Sequence, residues 1–158
     1  MKTEEIERLS KKIDMELFLF STVITVFVLM VTLKSSILIN NFFLTSQLVV
    51  AIPLFLNSVV SNITAQKGKD EKSWQKHASF MFLLGYAFLN NTIGILIAMY
   101  VNKYLAIIFF LINWLIMLSY SYLKVKLKHS LLKERIRKDA MFIIIQIVLG
   151  LLPVLSVH

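Results

Sequence analysis

The sequence predicts an all-α polytopic membrane protein: a transmembrane helical bundle of five spans in one membrane domain, 1–158, with its N-terminus cytoplasmic and its C-terminus outside. Three observations carry this expectation. First, 58% of the 158 residues are apolar and 16% are charged, against roughly 45–50% and about 25% in an average soluble domain. Second, the charges are segregated. Stretches 17–33, 35–65, 78–102, 104–123 and 140–158 contain no Asp, Glu, Lys or Arg and together hold 112 residues. A helix needs about 20 apolar residues to cross a bilayer core. Third, the basic residues are distributed unevenly among the connections. Segments 1–16, 66–77 and 124–139 hold fifteen of the seventeen, and Lys34 and Lys103 stand alone in the other two connections. Positive residues are retained on the cytoplasmic side, so five spans place the three basic segments inside and the two lone lysines outside.

The elements follow in order. Residues 3–13 have Thr3 as a possible cap, Ile6, Leu9 and Ile13 on one stripe, and the pairs Glu4/Arg8 and Glu7/Lys11 at i,i+4 spacing. That pattern predicts a short amphipathic helix on the inner surface, or helix 1 continued into the cytosol. The first span, 17–33, follows a long segment containing Glu4, Glu5, Glu7 and Asp14 and precedes no small-residue cleavage site. It is therefore expected to be retained rather than removed as a signal peptide. Run 35–65 is too long for one straight span, since its 31 residues would extend roughly 46 Å as a helix, at about 1.5 Å per residue. Residues 35–46 are expected at the outer interface and the span at 44–64, where Pro53 should kink it. The remaining spans are expected at 78–100, 104–123 and 140–157. Tyr100, Tyr104, Tyr120 and Tyr122 lie near span ends, as interfacial aromatics do, while Trp114 should pack against protein. Basic segment 124–139 should prolong helix 4 or lie along the headgroups. Span 140–157 is barely long enough and contains Gly150 and Pro153, which leaves half-insertion as an alternative.

Composition also limits function. Without cysteine the chain has no disulfide scaffold, thiol catalysis or Cys-ligated metal. His77, His129 and His158 are scattered, so no metal site is expected, and no cofactor motif is present. Between Lys34 and Lys67, and inside helices 3 to 5, no ionisable residue stands at membrane depth. This argues against proton-coupled transport through carboxylates and against intramembrane hydrolysis, and the protein is expected to be no enzyme. The sequons at Asn62 and Asn90 fall inside spans and should be unusable. Gly94-x-x-x-Ala98 would permit close helix approach.

The spans do carry amides and hydroxyls: Asn57, Ser58, Ser61 and Asn62 in helix 2, Asn90, Asn91 and Thr92 in helix 3, Asn113 in helix 4 and Gln146 in helix 5. An unpaired amide in hydrocarbon costs several kcal/mol, so these should face one another or a wet cavity. They would serve as interhelical glue or as a polar pathway. The basic residues Lys67, Lys69, Lys72, Lys76, Lys124, Lys126, Lys128, Lys133, Arg135, Arg137 and Lys138 are expected to contact lipid headgroups. The cytoplasmic segments carry a net +6, which draws them toward anionic lipid rather than nucleic acid.

The sequence thus points to a multi-pass protein of the cell membrane. Its first functional expectation is a non-enzymatic accessory or scaffold subunit acting through helix contacts with itself or another membrane protein. The alternative is an oligomeric channel or carrier whose path is lined by Asn57, Asn90, Asn91 and Asn113. A third reading, an enzyme acting on lipid, would use His77 and His129 at the cytoplasmic edge.

Overall fold

The computed structural model describes residues 3–67, 70–127 and 132–156, with side chains described for all of these except 3–6, 8 and 33–40. The described residues are helical almost throughout. In chain order they form α1 (Thr3–Asn40), α2 (Phe42–Gln66), α3 (Glu71–Tyr100), α4 (Lys103–Lys126), α5 (Leu132–Gln146), a π-helical turn at Ile147–Leu151 and α6 (Leu152–Ser156). Among the described residues, five segments are long and apolar enough to cross a membrane: Leu9–Thr32, Phe42–Gln66, Glu71–Tyr100, Lys103–Lys126 and Leu132–Ser156. The chain divides into two compact units, 1–89 and 90–158.

Three of the expected segments are joined to neighbouring helices. Residues 3–13 continue into the first span, the second of the two forms expected for them, because α1 runs unbroken from Thr3 to Asn40. Nothing interrupts it: there is no proline or glycine before Pro53. The Glu7–Lys11 pair forms at 2.7 Å, whereas the Glu4/Arg8 pair and the Thr3 cap lie outside the described side chains. Residues 35–46 are divided between two long helices. α1 extends to Asn40 and α2 begins at Phe42, because Asn41 supplies a cap. Its side-chain Oδ1 accepts from the Leu44 amide at 2.9 Å, satisfying a donor that the first turn of a helix leaves open. Asn102 repeats the device, accepting from the Tyr104 amide at 2.7 Å and starting α4 after a link of two residues from α3. Asn41→Ala should destabilise the fold by about 0.5–2 kcal/mol, read as a lowered unfolding midpoint in detergent. An unchanged midpoint would show that solvent or lipid replaces the cap. The third segment is 124–139. α4 ends at Lys126 and residues 132–139 open α5, so the described residues of the segment are shared between these two helices.

In unit 1, α1 packs on α2. Leu9, Ile13, Glu16 and Val23 are the buried residues of α1, and their spacing of three, four and seven puts them on one stripe. Leu9 and Ile13 share a cluster with Val59 and Ala65 of α2. Phe55 is fully buried and meets the edge of Phe82, which stacks on Tyr86. In unit 2, α4 packs on α5 and α6, with Phe110 and Phe142 buried at the centre. Pro53 lies within a continuous α2.

Candidate functional site

The densest buried polar group lies in unit 1. Glu16 is completely buried, although it stands at the edge of the charge-free run. Both carboxylate oxygens accept from the Asn62 side-chain amide, at 2.9 and 2.8 Å. The Lys12 ammonium lies 3.7 Å from one oxygen. That ammonium also donates to Asn62 Oδ1 at 3.3 Å and to the Ser79 hydroxyl at 3.4 Å. Ser79 itself donates to the Gln75 carbonyl at 2.8 Å. Beside the carboxylate, the Ser58 hydroxyl donates to the Ala78 carbonyl at 2.9 Å. One carboxylate, one ammonium, one amide and two hydroxyls thus tie α1 to α2 and α3.

Helical spacing builds this group. Lys12 and Glu16 are one turn apart on α1, and Ser58 and Asn62 one turn apart on α2. Lys12 keeps 30% of its side chain exposed while Glu16 keeps none, so the ammonium links the buried carboxylate to the exterior. Burying a carboxylate is expensive unless it is paired and hydrogen-bonded, and here both conditions are met. Glu16 falls within the apolar stretch Leu9–Thr32. It lies one residue before the span expected at 17–33, and outside the stretch between Lys34 and Lys67 and the helices 3 to 5 that the sequence leaves free of ionisable groups. The sequence did hold a signal: Glu16 continues the Leu9–Ile13 stripe, with Lys12 one turn before it.

Of the predicted polar residues, Ser58, Ser61 and Asn62 are buried in unit 1. Asn57 is exposed instead of facing inward, and only its Oδ1 is engaged, accepting from Ser61 at 3.5 Å. In unit 2, Asn90, Asn91, Thr92 and Gln146 are buried. The Trp114 indole donates to Gln146 Oε1, so Trp114 does pack against protein. Asn91 Oδ1 and Nδ2, Asn113 Nδ2 and Gln146 Nε2 are buried without a hydrogen-bond partner. Gln146 immediately precedes the π-turn, which brings Gly150 against Asn91 and Phe110. Gly94 receives the Phe110 ring, so this glycine admits a side chain rather than a neighbouring backbone.

Among the basic residues, Lys69 and Lys128 lie outside the described residues, as do His129 and His158. Arg135 donates through Nε to the Ser121 hydroxyl at 2.8 Å and lies 3.5 Å from Asp139. His77 stands edge-on to Trp74.

Fold and site together define an all-helical protein with five helices fit to cross a membrane and a carboxylate–ammonium–amide cluster buried between three of them. Comparison with protein-family models, with curated proteins and with solved structures finds no match.

Proposed function

We propose that this chain is a non-enzymatic subunit of the cell membrane that acts through helix contacts with itself or another membrane protein. The observation that carries the reading is Asn57. Its amide stands on the exposed arc of α2 beside Val50, Leu56 and Val60, which are also exposed, and its Nδ2 donors have no partner among the described residues. A polar amide on an apolar outer surface is costly in lipid and is relieved by a hydrogen bond from a neighbouring helix. The polar groups of the Glu16 cluster are, by contrast, spent on one another, as glue requires. The helices also leave wide apolar faces for lipid or partner: only 11% of the α1 span and 17% of the α4 span is buried, against 44% in α3.

The chain contains no cysteine, so Asn57→Cys introduces a single thiol. Oxidation in native membranes is expected to trap a defined disulfide product through position 57, self-paired or joined to one partner, and Leu56→Cys on the other edge of the arc should give little. Native mass spectrometry in mild detergent should show the matching stoichiometry. A bare monomer without position-specific cross-links would refute the reading.

A second reading, an oligomeric channel or carrier, is favoured by the unpartnered amides of unit 2. Buried groups left without partners point to water or a polar solute. Asn91→Leu distinguishes the two readings. On a pathway it abolishes flux while assembly persists; in a subunit without a pathway it leaves assembly intact with no flux to lose.

A further inference from the structure

We propose that the α4–α5 end of unit 2 holds the phosphate of an anionic phospholipid between Arg135 and Lys124. The site is built around the Tyr120 ring. The Arg135 guanidinium lies 5.1 Å from its centroid and the Lys124 ammonium 5.4 Å, both within cation–π range. The ring thereby gathers two like charges from two helices. Arg135 is held in place by its Nε contacts with Ser121 and Asp139. Its Nη1 and Nη2 have no partner among the described residues, leaving a fixed donor pair of the shape that chelates a phosphate.

Local charge favours an anion. Among the described residues of this end, Lys124, Lys126, Lys133, Arg135, Arg137 and Lys138 face only two acids. Glu134 is paired with Lys138 at 3.0 Å and Asp139 with Arg135, so Lys124 has no carboxylate partner. A choline headgroup would set its own cation against Lys124, which selects anionic headgroups over zwitterionic ones. The setting selects a lipid over a free ion. Tyr122, Leu123, Leu132 and Ile136 are large, exposed apolar or aromatic residues that can take the adjoining glycerol and acyl chain, and Lys124 directly follows the apolar stretch 104–123. This goes beyond general attraction of a basic segment to a membrane, because it assigns one phosphate to two residues. It rests on the helices crossing a bilayer and not on either functional reading.

The test is native mass spectrometry of the full chain in mild detergent, titrated with phosphatidylglycerol, phosphatidylcholine or inorganic phosphate. Wild type is expected to retain phosphatidylglycerol over phosphatidylcholine. Arg135→Gln and Lys124→Gln should each lower that retention about fivefold, the scale of one basic residue near an anionic surface. Arg135→Lys, which keeps the charge without the fork, should fall between wild type and Arg135→Gln. Lys133→Gln and Arg137→Gln should change retention less than twofold. Circular dichroism separates loss of binding from loss of fold, and Arg135→Lys serves as the folded variant if Arg135→Gln unfolds. An equal loss in all four glutamine variants would overturn the proposal in favour of diffuse charge. Displacement of the lipid by inorganic phosphate, dependent on Arg135, would overturn the lipid in favour of a free anion. Equal retention of the two lipids would overturn it outright.

Discussion

Asn62→Leu is expected to destabilise the protein by about 1.5–3 kcal/mol, the range for a hydrogen bond to a charged group. The variant leaves the Glu16 carboxylate fully buried with the Lys12 ammonium at 3.7 Å as its remaining charged neighbour, and removes the Oδ1 acceptor from Lys12. Glu16→Leu should cost less. Lys12 is already 30% exposed and can turn outward, which leaves only the Asn62 amide to find a new acceptor. The double variant Glu16→Leu with Asn62→Leu should recover most of the loss, because replacing both members of a buried polar pair by apolar groups is close to neutral. Unfolding by titration with a denaturing detergent in mixed micelles, followed by helical signal, measures all three. Additive losses in the double variant would show that the two side chains act separately and would sink the clamp.

The second large effect concerns glycine. Gly94→Ala and Gly150→Ala are each expected to destabilise by about 1–3 kcal/mol, the usual cost of overpacking. The sign is informative, since Gly→Ala inside a helix normally stabilises by about 1 kcal/mol. A Cβ at Gly94 would run into the Phe110 ring, and one at Gly150 into both Asn91 Oδ1 and Phe110. Phe110 is completely buried and has little room to move. At Gly85 the nearest atoms are Phe55 ring carbons at 3.3 Å, so Gly85→Ala should be much milder. Phe110→Leu should rescue Gly94→Ala. If Gly94→Ala melted at or above wild type, the ring would not be seated as described.

The number of membrane-length helices was legible because length and charge segregation answer to the bilayer alone. The joints were less so. Asn41 and Asn102 act as caps, yet an asparagine within an apolar run reads equally well as an interfacial residue. The π-turn has no composition of its own: Ile147–Leu151 is an ordinary apolar pentapeptide. Asn62 could be singled out as a polar residue in a span, but not its partner. Glu16 was assigned outside the span because the run was taken to begin where charge ends, and the compensation that lets a carboxylate lie deeper is a tertiary contact with a residue 46 positions away. Asn57 and Ser58 are neighbours in sequence with opposite fates, one exposed and one buried, since 100° of helical rotation separates them.

That distance of 46 positions also sets an order of events during biosynthesis. At about 5–20 residues per second, Asn62 leaves the ribosome roughly 2–9 s after Glu16. For that interval the Glu16 carboxylate has no Asn62 amide to bind. Lys12 is the counter-charge already available, one turn away on the same nascent helix. Until Asn62 is made, this i,i+4 lysine is the counter-charge that Glu16 carries on its own helix.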